Sequence, residues 1–346
     1  MRANFGKTVN KYTIATDYDS YYNYKPDDDS LRVHEIQADQ YIEGNVLVAV
    51  GNAIYTVDKY GKSTLIAGHP YRAGFETGYG SSVRFNQTAG FAQLPGDELL
   101  ISDKGNQCIR LLYRSSRQVT TYAGTCNSTQ GYYQGSRYII WYRFNKPTQL
   151  QYDSNQIYVL DEVEKGKKFE ILSQNRRVDC VNQNPFSIST SSGEVTDFIY
   201  DPATFTYVVA GPVGVTNHTS TGNSRSTEYV TDPYGLASYD DILFITRINS
   251  GEVMFVDGKN GNNYTLCGSP RWSTYRYDLP TCTLSKPTSV AVINGYLYIG
   301  STTTSGYQKK AVLTKIPFST SGLIIILTLF SPRCSLLMVL GAFYSS

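Results

Sequence analysis

Histidine is scarce in this chain. Its three residues, His34, His69 and His218, fall in separate regions of 346 residues, without the spacing an imidazole-ligated metal centre needs. There is no Gly-x-Ser-x-Gly elbow, no phosphate-cradling loop and no Cys-His pair at a telling interval, so the common acyl-transfer, nucleotide and thiol chemistries have no motif to rest on. No catalytic residue, metal ligand or cofactor is expected. Charge asymmetry is also missing: 31 Lys and Arg stand against 29 Asp and Glu. With no long basic block, nucleic acid is not an expected partner. Asp27-Asp28-Asp29 lacks the spaced oxygens and Gly turn of a calcium loop and reads as a solvated turn. Residues 1–39 are polar and Tyr-rich, without the basic start and apolar run of a secretory leader.

What the chain has in quantity is short β-prone runs between turn clusters. Thr88 to Leu94, Glu98 to Ser102, Gln107 to Tyr113 and Gln118 to Ala123 are bounded by Pro-Gly, Lys-Gly-Asn and Ser-Ser, which predicts one four-stranded antiparallel meander. The same grammar restarts after Pro147, Pro233 and Pro287, each in the place of Thr88, at intervals of about 59, 86 and 54 residues. The long middle interval accommodates two units, the second starting near Glu194, and an opening unit runs from Asn45 to Gly68. Six four-stranded units of this size predict an all-β, six-bladed β-propeller, with residues 40–317 as the ring. No Trp-Asp or Gly-Gly strand signature recurs, which argues against WD40 and kelch arrangements. Residues 1–39 form an extension that supplies a closing strand. Lys11 to Thr16 alternates well enough for that role, and the run from Val33 to Ile36 competes for it.

The second unit carries a family resemblance. Ile101-Ser102-Asp103-Lys104-Gly105-Asn106-Gln107-Cys108-Ile109-Arg110, then Val119-Thr120-Thr121-Tyr122-Ala123-Gly124 and a Gly-rich link into Arg143-Phe144-Asn145-Lys146-Pro147-Thr148, resembles the NHL repeat. The third unit has Leu160-Asp161-Glu162-Val163-Glu164 in place of the Asp-x-Gly-Asn loop, and the fifth has Arg247-Ile248-Asn249-Ser250-Gly251. The resemblance implies a six-bladed propeller of the NHL or TolB-like kind and says little of function, because such scaffolds host many sites.

Compartment is read from sequons and cysteines. Asn86, Asn127, Asn217 and Asn263 each begin an Asn-x-Ser/Thr sequon in or beside an expected link or turn, which makes them glycosylation candidates in a secreted chain. In the second unit, residues whose numbers sum to about 231 should face each other across the Arg114 to Arg117 turn. Cys108 then lies opposite Ala123, and a bend at Gly124 brings Cys126 back within bridging distance. Cys267 holds the place of Ala123 in the fifth unit, and Cys282 lies late in the following link. Disulfides Cys108–Cys126 and Cys267–Cys282 are therefore expected, against the alternative of free buried thiols, with Cys180 and Cys334 outside the framework.

From Phe318 the composition changes. Leu323 to Phe330 and Leu336 to Phe343 are apolar around Ser331-Pro332-Arg333-Cys334. A central Arg costs about 2.5 to 3.5 kcal/mol on insertion scales, so residues 318–346 read equally as a membrane tether or as non-native intron read-through.

Asp58, Asp103 and Asp161 close second strands and could ring a channel mouth, but a turn Asp more often caps its own backbone. Arg110 is expected to be the cross-strand partner of Asp103. Tyr132, Tyr133, Tyr138, Trp141 and Tyr142 in one link, and Trp272, Tyr275 and Tyr277 in another, offer the rigid amphipathic area used in recognition, or pack their links on the blade edges. The functional expectation is a non-catalytic extracellular or cell-surface binding module for a protein or glycan. Its rival is a propeller hydrolase or lyase with a divalent cation in the central channel; a third class is a cytosolic scaffold with free thiols.

Overall fold

The computed structural model describes residues 4–6, 8–16, 31–127, 143–153, 156–163, 166–173, 187–188, 196–201, 206–211, 214–219, 224–228, 230–257, 262–268, 282–305 and 308–319. Strand accounts for 65% of the structure, with almost no helix. Two strands come first, β1 (Asn4–Phe5) and β2 (Asn10–Thr16). The first sheet is β3 (Val33–Ala38), β4 (Val46–Val50), β5 (Ala53–Val57) and β6 (Ser63–Gly68). The second is β7 (Gly78–Tyr79), β8 (Thr88–Gln93), β9 (Glu98–Asp103), β10 (Cys108–Tyr113) and β11 (Gln118–Ala123), in the order β7-β11-β10-β9-β8. The third holds β12 (Pro147–Asp153), β13 (Gln156–Val163), β14 (Gly166–Ser173) and β15 (Ser187–Ile188). The fourth holds β16 (Asp197–Asp201), β17 (Thr206–Gly211), β18 (Gly214–Thr219) and β19 (Ser224–Glu228). The fifth holds β20 (Pro233–Tyr239), β21 (Ile242–Arg247), β22 (Glu252–Asp257) and β23 (Asn263–Cys267). The sixth is β24 (Pro287–Ile293), β25 (Tyr296–Ser305) and β26 (Gln308–Ser319), joined by β1 and β2, both antiparallel to β26.

The ring of meanders is a β-propeller. Strand pairing separates six sheets, but counted as regular blades they make five rather than the six expected. The fourth strand of the third sheet, β15, is two residues long. A second correction concerns the start of the ring. Val33–Ala38 is not a closing strand but the innermost strand of the first sheet. Leu31, Val33 and Ile36 are buried against the last sheet, and burying them requires Val33–Ala38 to sit inside. Lys11 to Thr16 is then left to pair with β26, with Tyr12 facing Leu313.

Apolar clusters join the first sheet to the second, the second to the third, the fourth to the fifth, the fifth to the sixth and the sixth to the first, as alternating apolar residues on a pleated surface require. Phe85, Phe91, Leu99 and Ile101 fill the space between the first two sheets, and Ala92, Leu100, Leu111, Phe144 and Val159 the next. Phe244, Phe255, Leu297, Ile299 and Phe318 join the fifth and sixth, where Phe5 of β1 lies 5.2 Å from Phe318 and 5.5 Å from Phe255, ring to ring. Ile14 and Ala15 of β2 are buried with the first sheet, and Ser63 Oγ donates to the Ile14 carbonyl at 3.0 Å. The N-terminal strands thus seal the seam where the ring closes. Among the described residues no helix is long and apolar enough to cross a membrane. Residues 320–346, most of the apolar tail, lie outside them.

Candidate functional site

The innermost strands β3, β8, β12, β16, β20 and β24 surround the propeller axis. Five of them share a local irregularity. The pairing register of β3, β8, β12, β20 and β24 with the next strand shifts just after the strand begins. Gln87, Asp232 and Lys286, immediately before β8, β20 and β24, have φ of +59°, +49° and +46°. A bulge of this kind bends the strand and re-aims the next side chain. The residue two places after the strand start is small or polar each time: Glu35, Gly90, Gln149, Gly235 and Ser289. At Gly235 an added Cβ would stand 2.5 Å from the Thr288 carbonyl oxygen, so glycine lets β20 and β24 approach.

Between these strands lies a cavity of about 280 Å³. His34, Glu35, Gln37, Gln149, Gln151, Asp197 and Ser289 supply its polar wall, and Ile36, Leu150, Phe198, Leu236 and Val290 much of its apolar wall. Asp197 is held firmly. Leu236 N donates to its Oδ2 at 2.7 Å, Phe198 N to its Oδ1 at 2.8 Å and Gln149 Nε2 to the same oxygen at 2.9 Å. It therefore ties the third, fourth and fifth sheets together. Gln149 matters here because β12 and β16, alone among ring-adjacent innermost strands, barely touch. Glu35 is held more loosely, by Gln37 Nε2 at 3.3 Å, with the Gln149 carboxamide as a second neutral partner. Gln37 Nε2 also donates to the Phe91 carbonyl at 2.6 Å, and Gln93 Nε2 to the Ala38 carbonyl at 2.7 Å, so carboxamides lace the first two sheets.

Burial pushes the Glu35 carboxyl well above the usual range, and the Asp197 charge adds to the shift; burial likewise raises Asp197. His34 is lowered to about 3 by burial, then by the nearby Arg32 and Lys104 charges. Glu35 and Asp197 can store a proton near neutral pH and present hydrogen-bond acceptors to a small guest.

Sequence reasoning did not single out Glu35, Gln149 or Asp197. For Glu35 and Gln149 the available signal was positional, a small or polar residue recurring two places after the strand start; Asp197 opens its own strand. The aspartates it did single out are structural. Asp58 Oδ1 accepts from Tyr60 N and Lys62 N, both at 2.9 Å, closing its own turn. Asp103 Oδ1 accepts from Asn86 N at 2.7 Å, and Asp161 accepts from Asn145 N and from Lys146 N at 2.8 Å. Each of these two fastens the start of its own blade. Arg110 is buried with Nη1 3.0 Å from Asp103 Oδ2 and its guanidinium carbon 4.8 Å from the Phe75 ring centre and 5.5 Å from that of Phe85. In the fifth sheet the charges are exchanged. Arg247 takes the strand-end position and meets Glu252 at 2.6 Å and Asp232 at 3.4 Å.

Both expected disulfides are present, Cys108–Cys126 with Cα atoms 4.9 Å apart and Cys267–Cys282 with 5.1 Å. The register differs in one respect. Arg110 faces Thr121 as the sum of 231 requires, but a bulge between Ile109 and Arg110 sets Ile109, not Cys108, opposite Ala123. Gly124, at φ +92°, makes the bend. Of the sequons, Asn127 is exposed, Asn86 and Asn263 are half-buried, and the Asn217 side chain is outside the described residues. So are Tyr132, Tyr133, Tyr138, Trp141, Tyr142, Trp272, Tyr275, Tyr277, Cys180 and Cys334.

No family model matches the chain, and no curated protein matches it. Solved structures do. A streptogramin B lyase is 9% identical over 90% of this chain and 98% of its own, with a TM-score of 0.54. The virginiamycin B lyase from Staphylococcus aureus is 9% identical over 91% and 99%, at 0.51. A chain of a nidogen/laminin complex is 12% identical over 76% and 85%, at 0.49. The lyase matches show the propeller fold alone.

Proposed function

We propose that this chain is a non-catalytic binding module of the extracellular space or cell surface, built on an NHL-like β-propeller and recognising a protein or glycan. The observation that carries the reading is how the ring's buried carboxyls are employed. Asp103, Asp161 and Asp197 spend their oxygens on backbone amides that join strands and sheets, a use that stabilises a scaffold and leaves them poor nucleophiles or bases. Two disulfides and sequons near turns fit an oxidising compartment, where the aromatic links would serve as contact surfaces. A tail acting as a membrane tether would place the module at the cell surface.

The test uses the full chain from a secretory host, presented to a glycan array and to cell-surface extracts with crosslinking. Saturable capture of one protein or glycan, unaffected by chelator, is expected. Stoichiometric calcium or zinc in the purified protein, or turnover of the captured molecule, would overturn it.

One observation favours an enzyme of the propeller hydrolase or lyase class. Glu35 and Asp197 line one cavity with raised carboxyl affinities for the proton, the state suited to acid-base work near neutrality. The divalent cation such an enzyme would use does not fit the described residues, among which no three His, Cys, Asp or Glu side chains converge. The same metal analysis separates the two readings.

A further inference from the structure

The axial cavity contains a carboxyl group that the scaffold does not use up. Asp197 receives three donors at 2.7 to 2.9 Å, whereas the hydrogen bond to Glu35 from Gln37 is 3.3 Å long and comes from a nitrogen already 2.6 Å from the Phe91 carbonyl. Glu35 is half-buried, and the side-chain donors it meets, Gln37 and Gln149, are neutral amides, so its charge has no cationic partner in the cavity wall. The cavity wall has two carboxyls and one histidine and contains neither Lys nor Arg. An anion entering it would meet like charge without compensation. A neutral guest would leave Glu35 desolvated.

We propose that the axial cavity binds a small organic cation, a primary ammonium with a compact apolar body, whose charged head pairs with Glu35 and whose body lies against Leu150, Phe198, Leu236 and Val290. The ammonium supplies the cationic partner that Glu35 lacks in the cavity wall, and a charge-assisted hydrogen bond is stronger than a neutral one. The apolar wall takes the rest of the molecule, in the usual division of labour in ligand pockets. At about 280 Å³ the volume lies just below the usual range for drug-sized ligands, which restricts the guest to a small amine. The site is independent of any protein or glycan recognised by the outer surface.

Binding is coupled to a proton. Burial and the Asp197 charge favour the protonated acid in the free protein, and the entering cation favours the carboxylate, so a proton leaves as the amine binds. Affinity therefore falls as pH drops below neutral. The titratable groups facing Glu35 are Asp197 on β16 and His34 on its own strand. The wall residues of β12, β20 and β24 are not ionisable. His34 stays neutral through this range, lowered to about 3.

The experiment is calorimetric titration of the full disulfide-bonded chain with three probes of similar shape: 2-phenylethylammonium, 2-phenylethanol and 3-phenylpropionate. At about pH 8 the ammonium should bind one to one and the alcohol roughly tenfold or more weaker, with no detectable binding of the carboxylate. Ammonium affinity should fall between about pH 8 and pH 5. Glu35→Gln should remove roughly tenfold of the ammonium affinity and leave the alcohol unchanged. If that variant does not fold, the three-probe comparison and the pH dependence of the unmodified protein still decide. Equal binding of ammonium and alcohol, preference for the carboxylate, absence of ammonium binding at millimolar concentration, or Glu35→Gln binding the ammonium as the parent does would each overturn the proposal.

Discussion

Arg110 Nη1 lies 3.0 Å from Asp103 Oδ2, and both side chains are fully withdrawn from solvent. Asn106 Nδ2 reaches the same carboxylate oxygen at 2.8 Å and the Gly74 carbonyl at 2.8 Å, while Arg110 Nη2 donates to the Glu76 carbonyl at 3.3 Å. The pair therefore pins the segment around Phe75 to the second sheet. Removing one partner strands the other charge in the interior, at a cost of about 3 to 5 kcal/mol. Arg110→Met alone should lose about that much in urea unfolding, and Arg110→Met with Asp103→Leu should recover most of it. A double variant as unstable as the single one would refute the pairing.

Glu35 and Asp197 bind protons more tightly folded than unfolded, so together they favour the native state most at acid pH and lose that contribution as pH rises through neutral. Asp103, raised to about 6 mainly by burial, acts in the same direction at lower pH. His34, lowered to about 3, acts in the opposite direction, and its contribution is lost as pH falls below its ordinary value of 6.5. Between about pH 7 and pH 8.5 only the carboxyl pair should change, and urea midpoints should decline over that interval. Glu35→Gln should flatten the decline. An unchanged slope in the variant would assign it elsewhere.

Gly124 holds φ +92°, and a Cβ there would lie 2.8 Å from Phe144 Cδ2 and 3.2 Å from the Cys108 Cα. Gly124→Ala should cost about 1 to 3 kcal/mol and reduce the fraction of Cys108–Cys126 formed on refolding, measured by peptide mapping. Full disulfide yield with parental stability would show that the bend tolerates a side chain.

The Cys267–Cys282 bridge closes a separation of 15 residues. Replacing both cysteines by Ala should lower unfolding free energy by about 3 kcal/mol in the chain-entropy model. A loss under about 1 kcal/mol would place restraint of that link in the packing of Phe255, Leu266 and Leu284 around it.

What could be read beforehand was what repeats locally. The turn after Asp103, the arginine two residues past Cys108 and the glycine ending β11 all lie within one meander, and local chemistry dictates them. The cavity is different. Glu35, Gln149 and Asp197 belong to three blades, and only closure of the ring brings them together. Glu35 sits in a strand that looked like part of an extension, because the polar stretch before it hides the repeat boundary. The Cys108 register missed by one residue because the bulge between Ile109 and Arg110 has no mark in the strand's apolar pattern.

β2 has its partner at the far end of the chain, and Tyr12 meets Leu313. On a ribosome, β2 emerges long before β26, and its hydrogen-bonding edge stays unclaimed until β26 has been made. Ile14, Ala15 and Phe5 meanwhile have no complete surface to bury against. Synthesis at roughly 5 to 20 residues per second leaves this strand waiting tens of seconds, and an unpaired apolar edge is a template for foreign strands. The closure that makes the finished ring resistant to fraying thus turns its nascent form into a customer for chaperones. Yield should depend more on what occupies β2 in that interval than on the stability of the completed protein.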